Sequence, residues 1–149
     1  MFQLGCSTID RVKVKLQAHV AYQMQYHVVW IPKYRHKILV PGVAKYLSKV
    51  LRSFTEARYP DVYIVEQNIQ PDHIHMLIEI PPKYSVSTVV GRMKGSSSRE
   101  LRKKFEYLRL KPAVWSIGYF VSSVGVNEST IKKYIRHQEK QDFGQAELV

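Results

Sequence analysis

Cysteine is nearly missing from this chain: Cys6 is the only one in 149 residues. An internal disulfide is thereby excluded, and a single thiol suits a reducing compartment. Long apolar runs are missing too, and none approaches the roughly 20 residues that a membrane-spanning helix needs. The N-terminal stretch MFQLGCSTIDRVKVKLQ lacks the apolar segment of a secretory signal. A cytoplasmic protein with no membrane partner is the expectation. No repeat, low-complexity tract or Pro/Gly-rich linker divides the chain, so residues 1–149 read as one domain. No glycine-rich phosphate loop is present either, which points away from a nucleotide cofactor. Acidic residues are scarce, 12 against 23 Lys and Arg, leaving a formal charge of +11. That imbalance attracts a polyanion through charge and counterion release. The basic residues are spread along the chain rather than gathered on one amphipathic helix, which favours nucleic acid over a membrane surface.

What is present is a clear alternation of periods. Residues 1–20 are polar, basic and weakly patterned, an N-terminal extension to which no element is assigned. Tyr22, Met24, Tyr26, Val28 and Trp30 alternate with Gln23, Gln25 and His27, the two-residue period of a strand. Val43, Tyr46, Leu47, Val50, Leu51 and Phe54 then recur at helical spacing. Residues 62–69 predict a second strand, and Pro71-Asp72 turns into a third, HIHMLIEI. A helix is expected over 86–108, weakened by the small, basic stretch RMKGSSSRELRKK. A fourth strand is expected over about 115–122, WSIGYFVS. Gly125 permits a reorientation, and Asn127 can cap a last helix from about 128 to 140. The order β-α-β-β-α-β plus a helix predicts an α+β, ferredoxin-like sandwich with both crossover helices on one sheet face.

The sharpest local signal is His73-Ile74-His75. Residues two apart on a strand share a face, so both imidazoles project together with Glu79. Ile74, Met76, Ile78 and Ile80 form the opposite, apolar face. The core therefore has no need of the histidines, and together they make a plausible half of a metal site. Asp72 reads most simply as a turn residue after Pro71, and His27 as a surface residue on the polar side of its strand. On the last helix Tyr134 and Gln138 lie four apart and are neighbours on one face, with Ile131 and Ile135 as an adjacent docking stripe. A phenol can attack phosphorus if a metal polarises the phosphoryl oxygens, and Gln138 offers a carbonyl oxygen as a third ligand. With ten tyrosines in the chain, spacing does not single out Tyr134.

From about Tyr26 to Gln138 the chain resembles the single-tyrosine HUH transposases of small bacterial and archaeal insertion sequences, the REP-associated tyrosine transposase-like superfamily. YHVVWIPKYRHKIL looks like that family's first strand and basic turn. QPDHIHMLIEIPPKYSVSTVVGRMKGSSS looks like its metal-binding strand and following helix, and VWSIGYFVSSVG with NESTIKKYIRHQ like its last strand and catalytic helix. The resemblance implies His73, His75 and Gln138 as ligands of a divalent metal and Tyr134 as the nucleophile, on a catalytic helix within 127–140. It implies cleavage and rejoining of single-stranded DNA bearing end hairpins through a 5′-phosphotyrosine link. It also implies a homodimer with joined sheets, the tyrosine helix swinging near Gly125. Imidazole ligands suit Mn2+, while cellular abundance favours Mg2+.

Candidate DNA contacts are Lys33, Arg35 and Lys37, with His36 beside them, and Arg92, Lys94, Arg99 and Lys103 on the second helix, with Arg102 and Lys104. Gly95 and Ser96 to Ser98 would let a phosphate backbone approach. Tyr34 and Tyr84 add stacking surfaces, as single-strand grooves combine cations with aromatics. Two other readings compete. A non-catalytic single-strand-binding module would need no metal and would carry aromatics on the open sheet face. A domesticated relative would process host repeat hairpins, and flanking palindromes in the genome would separate that case.

Overall fold

The computed structural model describes residues 15–17, 20–22 and 24–124. Gly125 and the helix expected over 128–140, with Tyr134 and Gln138, lie outside the described residues. A small hairpin comes first, β1 (Lys15–Gln17) paired antiparallel with β2 (Val20–Tyr22). It falls largely within the stretch whose pattern assigns no element, because strands of three residues hold barely one period of alternation.

The main body runs β3 (Gln25–Trp30), a 3-10 turn (Lys33–Arg35), α1 (Pro41–Arg58), β4 (Tyr63–Gln70), β5 (His73–Glu79), α2 (Val86–Lys104), the short α3 (Glu106–Arg109) and β6 (Phe120–Ser123). The four long-range strands form one sheet in the order β4-β5-β3-β6, and every neighbouring pair is antiparallel. This is the ferredoxin-like α+β plan that the element order predicts. The first strand begins at Gln25 rather than Tyr22, since Tyr22 belongs to β2.

Each helix has a local cause. Pro41 occupies the first turn of α1, where its missing N–H costs nothing. Val43, Leu47 and Leu51 are buried on one stripe, and Thr55 follows them because its hydroxyl donates to the Leu51 carbonyl at 2.9 Å. Ser85 caps α2 by accepting the Thr88 N–H at 3.1 Å. The weak Gly-Ser middle of α2 stays helical because Ser97 is fully buried. Its hydroxyl donates to the Lys94 carbonyl and accepts the indole N–H of Trp115 at 3.1 Å. The helix ends at Lys104 instead of 108, and Phe105 leaves the helical region before the turn of α3.

The expected fourth strand is divided. Trp115 makes only an isolated bridge to Pro32, and its ring meets Trp30 edge-on at 5.8 Å. Gly118 takes φ +88°, which breaks extended pairing, and the ladder resumes at Phe120. Val28, Trp30, Ile74, Met76, Ile78 and Ile80 pack with residues of α1 and α2 in one cluster. Both helices therefore cover one face of the sheet, leaving the alternate residues on the other. Among the described residues no helix is long and apolar enough to cross a membrane.

Candidate metal centre and nucleic-acid interface

The helix-free face of β5 carries His73, His75, Leu77 and Glu79, while Ile74, Met76 and Ile78 are buried beneath the helices. Register places His75 opposite Asn68 of β4 and Val29 of β3. Each histidine is already held through one ring nitrogen. His73 Nδ1 lies 3.0 Å from Asp72 Oδ1, and Asp72 Oδ2 accepts from Arg35 Nε at 3.0 Å. The hydrogen bond from His73, and then the charge of Arg35, hold the Asp72 carboxyl below its ordinary value. A carboxylate oxygen can only accept, so the His73 ring donates from Nδ1, and in the neutral imidazole Nε2 then carries the lone pair. His75 Nε2 lies 3.0 Å from His27 Nδ1 of β3, with ring centroids 5.1 Å apart.

His27 is the residue that sequence reasoning set aside as a surface group. Its contact with His75 is diagonal, since His27 itself pairs with Leu77, and only the register reveals it. Asp72 likewise does more than turn the chain. Glu79 stays apart from this group: it is buried, with Gln25 Nε2 3.4 Å from its carboxylate. Beside the histidines lies a cavity of about 440 Å3, lined by His27, Glu66, Gln67, Asn68, His75 and Leu77. Among the described residues no three His, Cys, Asp or Glu side chains come together closely enough to hold a metal. Imidazole nitrogens are borderline donors, so the two histidines suit a borderline divalent ion, and a harder ion would need oxygen donors beside them.

The candidate DNA contacts fall into two groups on different layers. Lys33, Arg35 and Lys37 belong to the turn and loop after β3, adjoining Asp72. That turn is strained: Tyr34 and Arg35 adopt φ 59° and 53°, a left-handed conformation costing about 1–2 kcal/mol for each such residue. Tyr34 is well exposed, with Lys33 Nζ 5.1 Å from its ring centroid and the His36 ring 5.7 Å away. Arg92, Arg99 and Lys103 are exposed on α2, and spacings of seven and eleven put them on one side of that helix. They belong to the helix layer, across the sheet from the histidines. Lys103 also approaches Glu100 at 3.4 Å.

Lys94 points another way. Its ammonium donates to the carbonyls of Ser116 at 2.9 Å and Gly118 at 2.6 Å, and burial pushes its pKa down. Two of its three N–H bonds are thus spent on the protein. It borders a groove of about 670 Å3 between α2 and residues 112–119, where Gly95 faces open space. Tyr84, proposed for stacking, is half-buried against Tyr59, their centroids 5.0 Å apart.

The transposase IS200-like family model matches residues 20–138. The chain belongs to the IS200-like transposase family. It is 40% identical over 131 residues to the transposase for insertion sequence element IS200 of Salmonella typhimurium, covering 86% of this chain and 85% of that relative. Its structure is similar to the crystal structure of a candidate transposase from Deinococcus radiodurans, with TM-score 0.68, 29% identity and coverage of 85% and 97%. A REP-associated tyrosine transposase bound to a REP hairpin shares the fold, with TM-score 0.51, 13% identity and coverage of 90% and 76%. This family member is therefore a transposase of IS200 type.

Proposed function

We propose that this IS200-like transposase cuts and rejoins single-stranded DNA at the ends of its element, with Tyr134 as nucleophile and His73, His75 and Gln138 as metal ligands. The observation that carries the reading is that the two motif histidines emerge on the uncovered sheet face. There Asp72 engages Nδ1 of His73 as the outer carboxylate partner of a metal-binding imidazole does, and His27 lies against the His75 ring. When bound, a divalent ion such as Mg2+ or Mn2+ supplies Lewis-acid polarisation of the phosphoryl oxygens.

The phenolic oxygen of Tyr134 attacks phosphorus. A P–O bond to the tyrosine forms as the phenol gives up its proton, the bond to the 3′-oxygen breaks, and that oxygen takes up a proton and leaves as a 3′-hydroxyl, so no net proton is gained or lost. Attack by another 3′-hydroxyl reverses the exchange and frees the tyrosine. One phosphodiester replaces another at each step, so no nucleotide cofactor is consumed. The cations of the Lys33–Lys37 segment, of which Arg35 and Lys37 are exposed, with Tyr34 among them, suit a single strand running toward the histidines. A homodimer in which the tyrosine helix completes a site of either protomer belongs to the same proposal. The hairpin on the REP-associated relative supports a hairpin-bearing substrate.

The test mixes the full chain with labelled single-stranded DNA carrying the element's end hairpin, with Mn2+ or Mg2+ against EDTA. A denaturation-resistant adduct is expected only with metal and is expected to vanish in Tyr134→Phe. An adduct that survives in Tyr134→Phe would assign the nucleophile elsewhere. Binding without an adduct under either metal would favour the non-catalytic binding module.

A further inference from the structure

Arg35 was expected to meet DNA and Asp72 only to turn the chain, yet the two meet each other behind His73. From that geometry we infer that Arg35 and Asp72 are positioning residues of the metal site. They form a relay, Arg35–Asp72–His73, that fixes which nitrogen of His73 faces a divalent ion. The inference rests on the metal-site reading above and adds to it two residues from outside the ligand set.

Three independent features support the relay. The first is its hydrogen bonding: both links measure 3.0 Å, and they use the two different oxygens of one carboxylate. Asp72 thus has one oxygen committed to orientation and one to the imidazole. The proton held on Nδ1 leaves Nε2 as the nitrogen able to bind a cation. In the absence of Asp72 a neutral imidazole is free to exchange tautomers, and the ligand nitrogen is then protonated part of the time.

The second feature is the backbone that delivers Arg35. Consecutive left-handed residues at Tyr34 and Arg35 are unusual for side chains of this size, and strain of this kind is maintained only where surrounding bonds impose it. Those bonds are present. The Lys33 N–H donates to the Val114 carbonyl at 2.9 Å, Arg35 N–H to Pro32 at 2.8 Å and His36 N–H to Lys33 at 3.3 Å. The third feature is the tie between the two partners' own segments. Leu39 N–H donates to the carbonyl of Pro71 at 3.0 Å, so the loop after β3 is bonded to the residue just before Asp72. The two ends of the relay are therefore held in mutual register by main chain as well as by side chain.

Mn2+ binding to the DNA-free protein, read from the electron paramagnetic resonance signal of the free ion, tests the relay directly. It is paired with the ring 15N shifts of His73 in the metal-free protein, which report the tautomer. Asp72→Ala is expected to weaken Mn2+ binding about 10- to 100-fold and to shift His73 toward the Nε2–H form. Asp72→Asn keeps an acceptor and the turn, guards against a folding failure, and is expected to lose less. Arg35→Gln should move both readouts in the same direction by a smaller factor. Because no DNA is present, an Arg35 that served only to contact the strand would change neither, and that result would remove it from the relay. His73→Ala separates the two levels of the argument. If it abolishes Mn2+ binding while Asp72→Ala stays within about twofold of wild type with unchanged shifts, the relay fails and the metal site stands. If His73→Ala binds Mn2+ like wild type, the metal-site reading falls and the relay with it.

Discussion

The two faces of β5 are made by the same seven residues under opposite demands. On one, Ile74, Met76 and Ile78 are sealed beneath α1 and α2. On the other, His73 and His75 remain half-exposed and hydrogen-bond to Asp72 and to His27 of β3. The contrast teaches that one strand divides core packing and an open polar face between its alternate positions. Substitutions on either face should consequently produce effects of different kinds.

The largest expected effect on stability lies on the helix side. Ile78→Ala removes a fully buried side chain and should cost about 2–5 kcal/mol, a large share of the 5–15 kcal/mol that holds an ordinary domain. Urea unfolding measures it, and a loss below about 1 kcal/mol would mean that the core tolerates collapse around this strand. Lys94→Ala comes next. It strips charged donors from the carbonyls of Ser116 and Gly118 and should cost about 1.5–3 kcal/mol. Mn2+ binding should be unchanged, because Lys94 belongs to the helix layer. The smallest effect on stability is expected from His75→Ala, within about 0.5 kcal/mol, although Mn2+ binding and adduct formation should both be lost. A destabilisation by several kcal/mol there would erase the distinction between the faces.

Much of this arrangement is legible in the sequence because alternation is a local signal. HIHMLIEI divides into its two faces without any knowledge of the neighbours. The features that escape are those requiring two distant segments at once. His27 reads as a surface residue until the register of β3 on β5 brings it diagonally to His75. Asp72 reads as a turn residue until the loop after β3 brings Arg35 to it. Ser97 reads as part of a weak helical stretch until Trp115 arrives as a donor. The WSIGYFVS segment misleads for a related reason: Trp115 is buried by bridging to Pro32, and its apolarity imitates a strand that begins only at Phe120. Tyr134 and Gln138 rest on family resemblance and lie outside the described residues.

The position of β5 within the sheet has a consequence for time as well as for place. It lies between β4 and β3, hydrogen-bonded along both sides. Amide hydrogens in such a strand point alternately into the two ladders, and each exchanges with solvent only when the interior ladder that holds it opens, an event near the cost of global unfolding. The exposed turn at Ile117 and Gly118, whose Gly118 carbonyl accepts from Lys94, can open far more often. The spacing of the two histidines is thereby set by one of the slowest clocks in the described sheet, and it persists through many openings of the segment that Lys94 holds.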